Sequence, residues 1–182
     1  MFKRKFHAWL ERYFYQPSVF EIIVSALLLP LSAIYYCIVW IKFKLSKAQK
    51  FPIPIISIGN LVLGGSGKTP LTKAIFNEFN SEFKTFIILR GYKRESKGMQ
   101  IVALNGDIKC DVATSGDEAM EYAINLKNAN IIVSNDRKIA INEAINLGAK
   151  LIILDDGFGK ANIFKFNILL RPAKTPRLNF TI

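Results

Sequence analysis

The chain has 182 residues, 51% apolar and 21% charged, which excludes a wholly disordered or low-complexity polypeptide and suffices for one domain with an appendage. Its net charge of +11 is densest at the start, where residues 1–50 carry eight basic and two acidic side chains around an apolar run. That pattern suits an anionic membrane surface better than a nucleic-acid groove, and no nucleic-acid partner is expected.

The first fifty residues read as a membrane-associated helical segment. From Ile22 to Ile41 there is no charge, and Glu21 and Lys42 close the run. Its length is about that needed for a helix to cross a bilayer. Pro30 kinks it, and Tyr35, Tyr36 and Trp40 sit towards one end, as interfacial aromatics do. Both flanks are basic: Lys3, Arg4, Lys5 and Arg12 before, Lys42, Lys44, Lys47 and Lys50 after. A simple span would show an asymmetry of charge. Two basic flanks fit a kinked, monotopic insertion with both ends on the cytoplasmic side. Residues 1–15 add a basic, aromatic stretch suited to the interface. A transmembrane span and a helix buried in the domain core are the competing readings. A signal peptide is not expected, because the upstream region is long and no small-residue cleavage site follows.

Phe51-Pro52-Ile53-Pro54 marks a boundary, after which residues 51–182 read as an α/β domain. The pattern predicts strands at Ile53–Ile58 and Thr85–Leu89, with a helix to about Asn80 between them. Gln100–Leu104 and Ile108–Val112 flank Asn105-Gly106 as a hairpin. A helix over Ser115–Leu126, N-capped by Ser115, comes next. Ile131–Val133, Leu151–Leu154 and Phe166–Leu170 are strands, and Arg137–Leu147 is a helix ended by Gly148. Strands alternating with helices predict a mostly parallel sheet flanked by helices, of the P-loop NTPase kind.

Four motifs carry chemistry. Val62, Leu63, Gly64, Gly65, Ser66, Gly67, Lys68 and Thr69 lie between a strand and a helix. Glycines let backbone N–H groups face phosphate oxygens, Lys68 can reach the outer phosphates, and Thr69 is placed to ligate magnesium. The strict GxxxxGK[ST] pattern would need glycine at Val62, so this is a variant loop, expected to bind Mg-ATP. Asp155 and Asp156 end an apolar strand, where a carboxylate holds Mg2+ directly or through water; Asp156-Gly157 is also a common turn. Ser115-Gly116-Asp117-Glu118 by itself is ordinary helix-start chemistry. Arg90, Tyr92 and Arg94 could grip an anionic substrate or belong to a solvated loop. One histidine, His7, excludes HExxH zinc chemistry and leaves a carboxylate as the expected base of the main domain. Cys37 and Cys110 fit no metal spacing and suit a reducing compartment.

Taken in order, the apolar-basic start, GNLVLGGSGKTP, RGYKR, SGDEAM and LDDGF resemble the tetraacyldisaccharide 4'-kinase family, the lipid A kinases of Gram-negative bacteria. The resemblance runs from about Phe14 onward and covers the family's N-terminal part only. It implies transfer of the ATP γ-phosphate to the 4'-hydroxyl of a lipid A precursor, tetraacyldisaccharide 1-phosphate. The cytoplasmic face of the inner membrane, with its anionic lipids, is the implied location. It also implies Asp117 as catalytic base; Glu118, Arg90, Tyr92 and Arg94 are the candidate substrate contacts. Where the family commonly has Gln-His after DDGF, this chain has Gly159-Lys160. The expectation is that the family's C-terminal portion, which supplies a histidine partner to the base, is absent here. A membrane-associated P-loop ATPase or GTPase, or a catalytically incomplete nucleotide-binding fragment, are the alternatives.

Overall fold

The computed structural model describes residues 9, 12, 13, 16–60 and 67–171. His7, Val62, Leu63, Gly64, Gly65 and Ser66 lie outside the described residues. Contacts divide the chain into a helical unit ending at Ser46 and an α/β unit beginning at Lys47.

The helical unit holds α1, Val19–Leu45. Its start is fixed by a capping box: Ser18 Oγ accepts from the Glu21 backbone N–H, and the Ser18 N–H donates to Glu21 Oε2 at 2.7 Å. This satisfies two helix-end donors at once. Trp9 Nε1 and Arg12 Nη2 donate to Glu21 Oε1 at 3.2 and 2.7 Å, so Glu21 is buried although the helix around it is not. At Pro30, which has no N–H to give, the helix continues, and Ser32 Oγ donates to the Leu29 carbonyl at 2.8 Å. Leu27, Leu29, Leu31, Ile34, Tyr35 and Ile38 are all more than half exposed. No part of its most apolar stretch is buried, so α1 is not a core helix within the described residues. It is long and apolar enough to cross a membrane by length and composition.

The second unit is a seven-stranded sheet: β1 Ile55–Asn60, β2 Thr85–Leu89, β3 Gln100–Leu104, β4 Asp107–Ile108, β5 Ile131–Val133, β6 Leu151–Asp155 and β7 Phe166–Leu170. The order is β4-β3-β5-β2-β6-β1-β7. β5, β2, β6, β1 and β7 run parallel, and the β3–β4 hairpin is antiparallel at one edge. The helices are α2 Lys68–Phe79, α3 Val112–Ser115, α4 Asp117–Asn125 and α5 Arg137–Asn146. Alternation sorts the strand side chains into two cores. Ile87, Leu89, Ile131, Val133 and Ile153 pack with Phe76 of α2 and Met120 and Tyr122 of α4. Phe86, Ile88, Ile132, Ile152 and Leu154 face Ala140, Ile141 and Ala144 of α5. Each large apolar side chain buried this way contributes about 1.5–3 kcal/mol. Covering on both faces explains why these strands read as unbroken apolar runs.

Three expected elements are corrected. β1 begins at Ile55, because Pro54 cannot donate to the ladder; its carbonyl accepts from Ile152 N–H at 3.2 Å. The second hairpin arm is only Asp107–Ile108, because Asp111 starts a helical turn by accepting from Thr114 N–H at 2.9 Å. The expected helix over Ser115–Leu126 is broken at Gly116, and Ser115 is not its N-cap. Ser115 Oγ instead donates to the Asp111 carbonyl at 2.9 Å, closing α3. Gly116 then takes φ +84°, ψ 154°, a conformation essentially reserved for glycine, and restarts the chain as α4. A Cβ on Gly116 would lie 2.9 Å from the Tyr92 carbonyl oxygen. Gly116→Ala is therefore expected to destabilise the domain by about 1–3 kcal/mol. A urea midpoint equal to wild type would show that this joint is unstrained.

Candidate phosphate and metal site

In a parallel sheet the C-terminal strand ends form the ligand-binding edge. β1 delivers Asn60 to this edge, and β6 delivers Asp155, with Asp156 in the turn that follows. α2 starts there at Lys68, capped by Gly67. Lys68 Nζ donates to Asn60 Oδ1 at 3.0 Å and to Asp156 Oδ1 at 3.3 Å. The expected phosphate lysine and one of the expected metal carboxylates thus meet across 88 residues of sequence. Thr69 and Thr72, one turn apart on α2, lie beside the hydroxyl of Tyr122.

The two adjacent aspartates sit in opposite environments. Asp156 has a side chain 72% exposed and takes the left-handed φ of +54° that turns the chain out of the strand. Asp155 is 7% exposed. Its Oδ2 accepts from Tyr122 Oη at 2.7 Å, while its Oδ1 is buried with no partner. Burial raises its pKa; the Tyr122 hydrogen bond and the charge of Lys68 oppose that rise. Burial and the neighbouring Asp155 charge in turn raise the Tyr122 phenol, keeping it a donor. The next residue, Gly157, must be glycine for space: a Cβ would meet Leu154 Cβ at 2.6 Å and Ser57 Oγ at 2.8 Å.

α4 presents its acidic start to the same edge. Glu118 has its pKa raised, first by burial and then by the charge of Asp155, and Lys68 pulls it the other way. Asp117, the first residue of α4, is exposed. One turn on, Glu121 takes Lys73 of α2 at 2.7 Å, tying the two helices together.

The RGYKR loop follows β2. Arg90 and Tyr92 are exposed. Arg94 is half-buried, donates to Ser96 Oγ at 3.2 Å and to the Gly98 carbonyl, and has its pKa lowered by burial. Ser96 Oγ donates to the Thr114 carbonyl at 2.6 Å and Glu95 N–H to the Ala113 carbonyl at 2.8 Å. The loop is thus stitched to α3, and through Gly116 to the start of α4.

Sequence reasoning missed Asn60, Tyr122 and Arg137. Asn60 belongs to a motif already singled out, since it follows Gly59 at the strand end, whereas Tyr122 lies on α4 just beyond SGDEAM and carried no signal of its own. Arg137, 3% exposed, follows an apolar strand and carried no motif signal. A mainly apolar cleft of about 710 Å3, lined by Pro52, Pro54, Phe79 and Leu151 with Lys150 as its one charged residue, lies at the opposite end of the sheet.

A buried carboxylate with an unspent oxygen penalises the folded state at neutral pH. Because the folded pKa of Asp155 is raised, its destabilising effect is absent below the unfolded value and grows as pH rises through the folded one. Asp155→Asn is therefore expected to raise the melting temperature in metal-free, nucleotide-free buffer at pH 7 by about 4 °C, on the order of 1 kcal/mol. The gain should vanish near pH 4. A variant less stable than wild type at pH 7 would contradict this reading.

The sequence matches the family model for tetraacyldisaccharide-1-P 4'-kinase over residues 24–179. The tetraacyldisaccharide 4'-kinases of Aliarcobacter butzleri and Campylobacter jejuni subsp. doylei are 53% and 45% identical to it, each over 99% of this chain. The chain spans 56% and 58% of those two relatives' lengths. Its structure is similar to that of LpxK from Aquifex aeolicus in complex with ATP, with a TM-score of 0.71 and 35% identity over 80% of this chain and 48% of that one. By sequence and by fold, the chain belongs to the tetraacyldisaccharide-1-P 4'-kinase family.

Proposed function

We propose that this chain is the nucleotide-binding part of a kinase that transfers the γ-phosphate of ATP to the 4'-hydroxyl of tetraacyldisaccharide 1-phosphate, giving the 1,4'-bisphosphate. The observation that carries the reading is the convergence of Lys68, Asp155 and Asp156 at the strand ends, in a fold shared with an ATP-bound relative. Lys68 exchanges its amide and exposed carboxylate partners for phosphate oxygens, with which it makes charge-assisted hydrogen bonds. Because the chain spans just over half of its relatives' length, nucleotide binding is the property to measure on it directly.

Magnesium fits the donors present. Asp155 offers a buried, unpartnered oxygen, and Asp156 and Thr69 are the further ligands proposed. Among the described residues no cluster of three His, Cys, Asp or Glu forms a ready-made cage. That suits Mg2+, which is held by one or two carboxylates together with substrate phosphates. When bound, it would neutralise charge on the phosphates. Asp117, exposed at the start of α4, is proposed as the base that takes the proton of the acceptor hydroxyl, with Glu118, Arg90, Tyr92 and Arg94 disposed around the acceptor. Lys68→Ala should remove most ATP affinity, whereas Asp117→Ala should leave it within about twofold, since loss of a base acts on turnover, by about 10²–10⁴-fold. Calorimetric titration with Mg-ATP checks both. Unchanged affinity in Lys68→Ala would remove the assignment of the loop.

We propose further that residues 1–50 seat the protein on the cytoplasmic face of the inner membrane as a monotopic insertion, with residues 51–182 as the kinase-like domain. Support comes from α1, apolar on all sides and exposed, ending in Lys42 and Lys44. Gln49 pairs with Ile163 in the α/β unit, so the clean separation point is Lys47. A chain beginning at Lys47 should remain in the supernatant when mixed with vesicles containing anionic lipid, while the whole chain co-sediments. Co-sedimentation of both would place the membrane contact elsewhere.

A further inference from the structure

Tyr122 commits its one polar side-chain atom to Asp155. The side chain is 1% exposed and packs in the core that holds Phe76 of α2. Lys73 Nζ lies 5.9 Å from the centre of its ring and is itself held by Glu121 at 2.7 Å. A ring enclosed in this way has no second rotamer to visit, so its hydroxyl is a fixed donor. It donates to Asp155 Oδ2 at 2.7 Å, and Thr69, the proposed metal ligand at the start of α2, lies beside it.

Asp155 is fixed from its backbone by the sheet, where it stands in register with Ile58 of β1. Its Oδ1 is buried and has no hydrogen-bond partner among the described residues. The cations nearby do not orient it. Lys68 donates to Asn60 and Asp156. Arg137 feels the charges of Asp156 and Asp155, but its Nη1 is engaged by the Ser134 carbonyl. An ionised carboxylate has two oxygens to offer a cation. The Tyr122 bond engages one and leaves the other. That count bears on the choice of ion. Ca2+ takes about six to eight oxygens in a flexible shell and readily accepts both oxygens of one carboxylate, whereas Mg2+ demands a near-octahedral shell.

We propose that Tyr122 is a positioning residue that makes the metal site selective for Mg2+ over Ca2+, by confining Asp155 to coordination through one oxygen. This rests on the kinase reading above, with the metal arriving alongside the nucleotide. Phenylalanine at this position would keep the ring, its packing beneath Lys73 and nearly all of its volume, and would release Oδ2. Asp155 can then hold a cation with both oxygens, a mode that suits Ca2+ and departs from the shell Mg2+ requires. Tyr122 thus acts on the metal through Asp155 and touches neither metal nor nucleotide.

The test is calorimetric titration of the whole chain with ATP at saturating Mg2+ and, separately, at saturating Ca2+. Wild type is expected to bind Mg-ATP more tightly than Ca-ATP. Tyr122→Phe should cut that preference by about tenfold, the scale of one hydrogen bond to a charged group. Phe76→Leu loosens the same core without touching the hydroxyl. It should lower the melting temperature and leave the preference at its wild-type value. An unchanged preference in Tyr122→Phe overturns the proposal and leaves the bond a purely structural one. So does an equal change in Phe76→Leu, which would trace the effect to packing. If Tyr122→Phe does not fold, wild type decides: Ca-ATP bound as tightly as Mg-ATP would show that Asp155 is not confined to one oxygen. Absence of Mg-ATP binding in wild type would instead remove the kinase reading on which the proposal stands.

Discussion

The hydrogen bond from Tyr122 to Asp155 holds a carboxylate inside the protein at the end of β6, with one oxygen engaged and the other facing no partner. Much of the site is arranged around that buried charge. It raises the phenol that serves it and helps to raise Glu118, and it draws on the field of Lys68. Such a group is poorly compensated by the protein alone. A cation at this edge would relieve the repulsion among Asp155, Asp156 and Glu118, whereas the apolar cleft at the far end of the sheet has no such need. The same logic makes the domain less stable than it could be, which is common where a site must accept a charged ligand.

Around that charge, the elements are tied to one another by short polar links rather than by the apolar cores alone. α2 reaches β6 through Lys68 and Asp156, and reaches α4 through Lys73 and Glu121. The loop after β2 reaches α3 through Ser96 and Glu95. Gly116 converts the end of α3 into the start of α4 in one residue, with the loop carbonyl of Tyr92 pressed against it. Asp117 and Glu118 are therefore placed by the same joint that places Arg90 to Arg94. A shift in either segment is transmitted to the other through contacts that have little room to relax.

The strands were the most legible part of the sequence. Thr85–Leu89, Gln100–Leu104, Ile131–Val133 and Phe166–Leu170 stand where their apolar runs put them; in β2 and β5 burial on both faces leaves a continuous signal, while β7 is a largely exposed edge strand. The region from Asp107 to Asp117 was less legible. Asp111 and Ser115 are both good helix starters, and local preference cannot say that Asp111 caps a single turn while Ser115 closes it. The meeting of Lys68 with Asp156 could be expected from the two motifs, since both stand at C-terminal strand ends. Tyr122 and Arg137 could not, because their roles depend on burial and on partners far away in sequence. Arg137 in particular looks like an ordinary first-turn residue of α5 until its 3% exposure is known.

The measurement that bears most directly on this account is the magnesium dependence of nucleotide stabilisation. With ATP and Mg2+ the melting temperature of the wild-type chain should rise, because the bound cation satisfies Asp155 at the same time as Lys68 takes phosphate. With ATP and a chelator most of that rise should be lost, since the nucleotide then brings more negative charge to a buried carboxylate. An equal rise with and without Mg2+ would contradict the central claim that Asp155 is held buried and half-satisfied for a metal-bound nucleotide.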